Sequence, residues 1–227
     1  MIIPIPSVLS KDEVKQFRHY LDNAPWQDGS VTAGAQVIGQ KQNQQLDIDS
    51  VLAQQLGDKI LGALARHPLF VSAALPLKIF PPMFNRYGQG DHYGFHVDNA
   101  IRIIPQTNIR LRTDLSATVF LSEPDEYEGG ELEIEDSYGE HKVKLGAGDM
   151  VLYSSTSLHR VRAIEKGQRN AAVFWVQSMV RDHEQREVLF DLDQSIQSLT
   201  QCHDHQHPDV KRLTSSYHRL IRQLAET

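Results

Sequence analysis

From about residue 76 to residue 178, the sequence alternates between short apolar runs and clusters of turn residues. The runs are LKIF, LSATVFLS, ELEIE, HKVKL, DMVLY, LHRVRAI and AAVFWVQSM, and the clusters between them include YGQGD, EPDEYEGG, DSYGE, GAGD and EKGQ. Many short strands at close spacing are typical of a sandwich or a barrel-like roll. Pro81 and Pro82 interrupt the first run, which predicts an edge strand or a break there, because proline cannot donate to a strand ladder.

Helical patterns precede this strand-rich region. Ser10 followed by Glu13 is a capping-box sequence, and the apolar residues after it recur at helical spacing. Asp49 or Ser50 is expected to cap a second helix, which ends before Pro68. The opening segment MIIPI is apolar but contains proline and lacks basic residues, so it predicts a strand rather than a signal peptide.

A helical pattern also follows the strand-rich region. Six apolar residues recur there at helical spacing: Val210, Leu213, Tyr217, Leu220, Ile221 and Leu224. This stripe must be buried, either on its own domain or in the contact of a homodimer. The sequence therefore predicts an α+β, mainly β protein, with a supporting region over 1–77, a β-rich domain over 78–178 and a helical extension over 179–227.

Composition excludes several classes of function. The net charge of −6 provides no basic surface for nucleic acid, and no Lys/Arg-rich block would hold the chain on an anionic membrane. No apolar run approaches the roughly 20 residues that a membrane helix needs. Cys202 is the only cysteine in the sequence, which excludes an intrachain disulfide framework and a cysteine-based zinc site. We expect a cytoplasmic protein that binds neither nucleic acid nor membrane.

The segment YGFHVDNA places His96 and Asp98 two residues apart. In a strand such residues point to the same face, so both side chains could reach one ion. His159, in another strand-like run, is the best candidate for a third ligand. Two histidines and a carboxylate form a facial triad, which leaves positions open and suits ferrous iron that activates oxygen. The alternative is a hydrogen-bonded polar pair at a strand end, and such pairs are common.

Arg169 follows His159 by ten positions, across a predicted turn at 165–168. If that turn is centred near Lys166, Arg169 lies opposite Ala163, about 13 Å along the sheet from His159 at roughly 3.3 Å per residue. The reach of the arginine leaves a gap that matches a five-carbon diacid chelated to the metal. A guanidinium suits the far end of such a ligand, because its fork binds a carboxylate through two charge-assisted hydrogen bonds. The alternative is a solvated surface cation.

These residues resemble a known family. The order Tyr87, His96, Asp98, His159 and Arg169, with YGQGDHY before the first histidine, is similar to that of the iron(II)/2-oxoglutarate-dependent dioxygenases. The segment EGGELEI and the stretch from tryptophan through VQSMVRDHEQRE are similar to the bacterial branch with a prolyl/lysyl-hydroxylase-type (PKHD-type) catalytic domain. The motifs run from about residue 78 to 178, and the likeness extends over nearly the whole chain.

The resemblance implies a double-stranded β-helix, or jelly roll, flanked by helices. It implies that His96, Asp98 and His159 ligate Fe(II), and that 2-oxoglutarate chelates this iron. The implied activity couples oxidative decarboxylation of 2-oxoglutarate by O2, which yields succinate and CO2, to hydroxylation of a substrate. L-Ascorbate commonly supports such enzymes by reducing their iron.

The resemblance also assigns roles around the co-substrate. Arg169 would hold its distal carboxylate, and Tyr87 matches a tyrosine that bonds the same group in prolyl-hydroxylase-like members. Trp175 matches an aromatic wall of the pocket, to which Tyr93 would also belong. Many relatives carry a hydroxyl residue two positions after the arginine, whereas this chain has Ala171, so Tyr87 is expected to contribute more.

Other polar segments have weaker interpretations. His92 and the CHDHQHP segment (202–208) could bind metal, but a loop and a solvated connector between helices are the favoured interpretations. Three cations after the iron motif could attract an anionic substrate or simply face solvent: Arg102, Arg110 and Arg112. The polar segment from Gly29 to Gln45 is interpreted either as a lid or as a plain loop or hairpin.

The sequence leaves the substrate and two other classes of function open. The substrate is either a prolyl or lysyl residue of a protein or a small molecule, and the resemblance suggests a link with iron acquisition. A non-catalytic jelly roll that senses metal or 2-oxoglutarate is the main alternative. A zinc hydrolase is a further one, because these residue types also bind Zn²⁺, although hydrolysis gives Arg169 no co-substrate to hold.

Overall fold

Two antiparallel sheets form the core of the protein, whose computed structural model describes residues 1–29, 40–136 and 139–226. The larger sheet has the order β1 (Ile2–Ile5), β14 (Met150–Ser154), β10 (Leu115–Phe120), β17 (Arg169–Ser178), β6 (Met83–Tyr87), β4 (Gln44–Leu46) and β2 (Trp26–Asp28), and β5 (Pro76–Ile79) also pairs with β17. The smaller sheet has the order β13 (Gly139–Val143), β12 (Leu132–Asp136), β15 (Leu158–Val161), β7 (His92–His96) and β3 (Lys41–Gln42). The predicted mainly β jelly roll is confirmed.

Two further strand pairs lie outside these sheets. They are β8 (Ile101–Ile103) with β9 (Arg110–Arg112), and β11 (Tyr127–Gly129) with β16 (Ile164–Gly167). The second pair contradicts the predicted turn at 165–168, because 164–167 is a strand that pairs with β11 rather than with β17. Gly167 explains the close pairing, since a Cβ there would lie 2.1 Å from the carbonyl oxygen of Glu126 at a φ of +81°.

The helices flank the sheets as the resemblance implies. They are α1 (Lys11–Asp22), α2 (Val51–Leu64), α3 (Pro68–Ala74), α4 (His183–His203) and α5 (Pro208–Leu224). Ser10 and Ser50 cap the first two, as predicted. The short helix α3 was not predicted, because Pro68 was taken only as a terminator, whereas it occupies the first turn of α3, where proline needs no hydrogen-bond partner. None of the described helices is long and apolar enough to span a membrane.

The two faces of the larger sheet pack against different parts of the protein, because side chains alternate between the faces along each strand. On β17, Ala172, Phe174 and Val176 pack with apolar residues of α1, α2 and α3. The residues between them face the smaller sheet instead, and include Val173 and Trp175. Because successive side chains of a strand point to opposite faces, the same run both anchors the helices and lines the space between the sheets.

The apolar stripe of α5 packs against its own chain. Tyr217, Leu220, Ile221 and Leu224 border a buried cluster of Leu75, Val180 and Leu189. This arrangement agrees with burial on the same domain. A homodimer stays a prediction, as does the division into regions 1–77, 78–178 and 179–227.

Replacing Ser10 by alanine is expected to lower the free energy of unfolding by about 1 kcal/mol. The Ser10 hydroxyl accepts from the Glu13 amide, and the Glu13 carboxylate accepts from the Ser10 amide, so the substitution leaves the Glu13 amide without its acceptor at the start of α1. Urea unfolding of the variant measures the loss. Ser10→Asp, as the matched control, keeps a side-chain oxygen that can accept from the Glu13 amide and should lose little stability. Equal losses for both would show that the side-chain acceptor contributes nothing specific.

Candidate metal and co-substrate site

Adjacent strands of the smaller sheet bring two of the predicted ligands together. His96 ends β7 and His159 lies in β15, and the two residues are direct partners in the antiparallel pairing. Their ring centroids are 4.2 Å apart. Asp98 follows β7 by two residues, and its Oδ2 lies 3.7 Å from Nε2 of His159. One ligand atom from each of the three residues lies within 4.8 Å of the others.

Backbone carbonyls orient both imidazoles. Nδ1 of His96 lies 2.8 Å from the Gly94 carbonyl oxygen, and Nδ1 of His159 lies 3.0 Å from that of Ser157. A carbonyl only accepts, so each Nδ1 carries a proton, and Nε2 is the nitrogen that remains to face a metal. Burial and the neighbouring His159 lower the pKa of His96 to about 4, so this imidazole is neutral at pH 7. Neutral imidazole is the form that binds metal.

A pair of serines holds the carboxylate. Ser116 Oγ on β10 donates to Asp98 Oδ2 at 2.6 Å, and the Ser155 hydroxyl lies 2.7 Å from the same Oγ. With Ser116 donating to Asp98, Ser155 donates to Ser116. The larger sheet thus positions a ligand that comes from a loop, and hydrogen bonds of this kind tune metal affinity.

Replacing Ser116 by alanine is expected to weaken Fe(II) binding by about 10- to 100-fold, because Asp98 loses its donor. Anaerobic titration with Fe(II) measures the dissociation constant. Ser154→Ala is the matched control, because the Ser154 hydroxyl pairs with Thr156 and not with Asp98. Unchanged affinity in the Ser116 variant would show that the serine pair does not position the carboxylate.

A cavity of about 630 Å³ lies between the two sheets, and all the predicted site residues line it. They are Tyr87, Tyr93, His96, Asp98, His159, Arg169 and Trp175. Tyr93 stacks on the His96 ring at 3.6 Å between centroids, and burial raises its pKa. The cavity therefore combines the candidate metal-binding triad, a cation and aromatic walls.

Arg169 is a buried residue of the cavity lining. Its exposed fraction is 1%, and it lies beside the rings of Tyr87 and Phe120, at 5.5 and 5.2 Å from their centroids. Its Nε has no hydrogen-bond partner, and no described carboxylate forms an ion pair with it. A buried guanidinium without a described counter-charge is costly, and an anion bound beside it would offset that cost.

The predicted path from His159 to Arg169 was wrong, although both residues line the cavity. Arg169 pairs with Tyr87 in the larger sheet rather than with Ala163, and His159 lies in the smaller sheet. The two residues therefore face the cavity from different sheets and are not joined along one sheet. The error arose because a hairpin was assumed between consecutive strands, whereas a jelly roll sends consecutive strands to different sheets.

Other predicted candidates lie elsewhere. His92 is in β7 but outside the triad, with Nδ1 near the Gly90 carbonyl oxygen. The CHDHQHP segment spans the end of α4, the connector 204–207 and the start of α5, and of these residues His207 is partly buried and the others are exposed. Arg112 forms ion pairs with Asp114 and Glu226, and Arg110 is exposed. Of the suggested lid, 30–39 lies outside the described residues, and the remainder includes β3 and β4.

Several cavity residues were missed by sequence reasoning. Besides Ser116, they include Thr118, Asn85, Tyr153 and Lys41. The run LSATVF carried a signal for Ser116 and Thr118, because polar residues at alternate positions of an otherwise apolar strand mark a face turned toward a polar site. Lys41 gave no such signal, since its segment reads as a polar loop.

The comparisons with known proteins agree with this geometry. Residues 82–177 match the 2OG-Fe(II) oxygenase superfamily model, and 183–226 match the PKHD-type hydroxylase C-terminal domain. Two solved structures share the fold. A Pseudomonas putida prolyl-4-hydroxylase is 20% identical, with a TM-score of 0.53, over 78% of this chain and 92% of that chain. The 2-oxoglutarate-dependent carbocyclase SnoK is 16% identical, with a TM-score of 0.56, over 79% of this chain and 80% of that chain. Fold and site thus define an enzyme of the 2-oxoglutarate/Fe(II) oxygenase class.

A curated relative gives the narrower assignment. A PKHD-type hydroxylase of Acinetobacter baumannii strain AYE is 57% identical over 226 residues, which span the full length of both chains. The chain belongs to the PKHD-type hydroxylase family. This membership favours the oxygenase over the non-catalytic sensor and the zinc hydrolase.

Proposed function

We propose that this protein is a hydroxylase in which His96, Asp98 and His159 hold Fe(II), and Arg169 with Tyr87 holds the distal carboxylate of 2-oxoglutarate. The observation that carries the proposal is that one cavity contains both the triad, with ligand atoms within 4.8 Å, and a buried guanidinium that has no described counter-ion. The first feature fits a metal, and the second fits a diacid bound to that metal.

The donor set fits ferrous iron. Two imidazoles and one carboxylate are the residue types that hold ferrous iron in a facial triad, and such a set would leave positions for a chelating co-substrate and O2. The Nδ1 hydrogen bonds to Gly94 and Ser157 hold both rings with Nε2 toward the ion. When bound, iron and 2-oxoglutarate supply an oxidant made by decarboxylation of the co-substrate.

The other residues of the chain bind, orient and exclude water. Arg169 and Tyr87 are direct partners on β17 and β6, so both side chains project into the cavity from the same face of the larger sheet, next to each other. Burial raises the pKa of Tyr87, so its phenol keeps its proton and can donate to a carboxylate. This phenol compensates for Ala171, the position at which many relatives carry a hydroxyl. Tyr93 and Trp175 form walls that keep the reacting centre dry.

Further parts of the proposal concern the cellular role. The substrate is a protein prolyl or lysyl side chain or a small molecule, and the activity is linked with iron acquisition. L-Ascorbate serves as the reductant that keeps the iron ferrous. The protein acts in the cytoplasm, without nucleic acid or membrane, and a homodimer through the C-terminal helices is the proposed assembly.

Anaerobic addition of Fe(II) and then 2-oxoglutarate tests the site. We expect a visible metal-to-ligand charge-transfer band, followed by formation of succinate once O2 is admitted. The absence of a band from iron-loaded protein would refute the co-substrate assignment. A band without succinate under any condition would instead support a sensor that binds both groups and does not turn over.

A further inference from the structure

Strand β8 at the cavity has an inverted arrangement of side chains. Ile101 and Ile103 are 54% and 60% exposed, whereas Arg102 between them turns inward and lines the cavity. Burial of the two isoleucines and exposure of the arginine would be the favourable arrangement for such a strand. A local pattern that runs against this preference is expected where function requires it.

Arg102 lies over the ring of Trp175. Its guanidinium carbon is 3.7 Å from the Trp175 ring centroid and 5.0 Å from that of Phe80, whose ring is nearly perpendicular to that of Trp175. These contacts hold the group in place but use none of its hydrogen-bond donors, and no described residue forms a hydrogen bond or an ion pair with Arg102. Burial lowers its pKa, although the charge of Asp98 opposes this effect. Its donors are thus preorganised for a ligand in the cavity.

A second cation lines the same cavity. Lys41 on β3 is only 8% exposed, and its ammonium lies 5.3 Å from the Tyr93 ring centroid. Burial, followed by the charge of Arg102, lowers the pKa of Lys41 to about 8, and the charge of Asp28 opposes this shift. The two cations are therefore close enough to repel each other, and an anion between them would relieve that repulsion.

The charges of the proposed cofactors do not balance Arg102. Fe(II) with Asp98 carries one positive charge, and 2-oxoglutarate with Arg169 carries one negative charge, so these groups together are neutral. Among the described residues that line the cavity, Asp98 is the only carboxylate, while the charge of Asp28 acts on Lys41. The substrate is the ligand that must enter this space, and an anionic group on it would balance the charge of Arg102.

We propose that Arg102 and Lys41 form an anion-binding subsite beside the metal, and that the substrate carries a carboxylate or a phosphate. The inference rests on the proposed function, which explains why the other charges of the cavity are already balanced. The Arg102 fork supplies two parallel donors, and Lys41 supplies a point charge. Both act as specificity residues for the anionic group, and Arg102 contacts Trp175, which lies six positions after Arg169 on β17.

Tryptophan fluorescence provides a direct readout, because the chain has two tryptophans and Trp175 touches Arg102. A Trp26→Phe background leaves Trp175 as the single reporter. The protein is saturated with Mn(II) and 2-oxoglutarate, so that Arg169 is occupied and no turnover occurs. Benzoate, phenyl phosphate and uncharged benzamide are the probes, and the two anions distinguish a carboxylate from a phosphate ligand.

We expect at least one anion to bind about tenfold or more tightly than benzamide, as charge-assisted hydrogen bonds predict. Arg102→Gln should remove this preference, Lys41→Gln should reduce it, and Arg102→Lys should restore part of it. Arg110→Gln removes the same charge from an exposed position of the neighbouring strand and should retain the preference. Equal binding of all three probes, or equal losses in the Arg102→Gln and Arg110→Gln variants, would overturn the subsite.

The anion titration distinguishes failure of the subsite from failure of the proposed function. A normal charge-transfer band with iron and 2-oxoglutarate, combined with no preference for anions, would refute the subsite alone. If the band is absent, the same titration without 2-oxoglutarate still reports whether the anions bind at Arg102. In that case, loss of the anion preference in Arg102→Gln would support the subsite, and its persistence would refute it.

Discussion

Replacing His159 by alanine is expected to abolish the charge-transfer band that Fe(II) and 2-oxoglutarate give with the unmodified protein. His159 is 5% exposed, and its Nε2 faces the two other ligands. Loss of a residue that hydrogen-bonds to a metal ligand lowers metal affinity by about 10- to 100-fold. Loss of the ligand itself should therefore lower the affinity for Fe(II) by more than about 100-fold. Anaerobic Fe(II) titration followed by 2-oxoglutarate measures both steps, and succinate formation should disappear as well.

His92→Ala is the matched control for this variant. His92 belongs to the same strand as His96, and its Nδ1 also faces a backbone carbonyl, but it is not part of the triad. The control should retain the full band. A band of normal intensity in the His159 variant, or an equal loss in the control, would contradict the proposed ligand set.

Replacing Arg169 by methionine is expected to weaken 2-oxoglutarate binding by at least about 100-fold, or about 3 kcal/mol, because two charge-assisted hydrogen bonds are lost. The protein without ligand should be as stable as before or more so, since a buried, unpaired cation is removed. Fe(II) binding should be unchanged. The weakened charge-transfer band and the thermal unfolding temperature report these effects separately.

Arg169→Lys tests whether the fork or only the charge is needed. A lysine retains the point charge without the paired donors, so we expect intermediate affinity. Co-substrate at about 100 times its dissociation constant should stabilise the unmodified protein by about 2.7 kcal/mol, and this stabilisation should be absent from the methionine variant. If the methionine variant unfolds more readily without ligand and still binds 2-oxoglutarate normally, the arginine has a structural role instead.

Local features could be predicted from the sequence, because their causes lie within a few residues. The Ser10 and Glu13 cap forms because its donors and acceptors are three positions apart. The break between β5 and β6 follows from Pro81 and Pro82, which cannot extend a ladder. His96 lies at the end of a strand because YGFHV has strand character and the surrounding glycines disfavour a helix.

The failures concern contacts between strands that are far apart in sequence. The turn predicted at 165–168 is a strand, because its pairing with β11 provides hydrogen bonds that local propensity does not reveal. Arg169 was placed on the same sheet as His159 for the same reason. Arg102 was grouped with Arg110 and Arg112 as one cationic segment, whereas the structure gives the three residues different environments.

The sequence by itself determined the strand-rich core, the flanking helices, the residue types of the triad and the resemblance that assigned them. Those inferences depend on local periodicity and on the order of a few chemical groups. Only the tertiary structure decided that β15 and β7 pair directly, that Ser116 holds Asp98, and that Arg102 faces the cavity. The physical reason is that register and sheet assignment depend on the packing of the whole chain, whereas side-chain chemistry and hydrophobic period are properties of each segment.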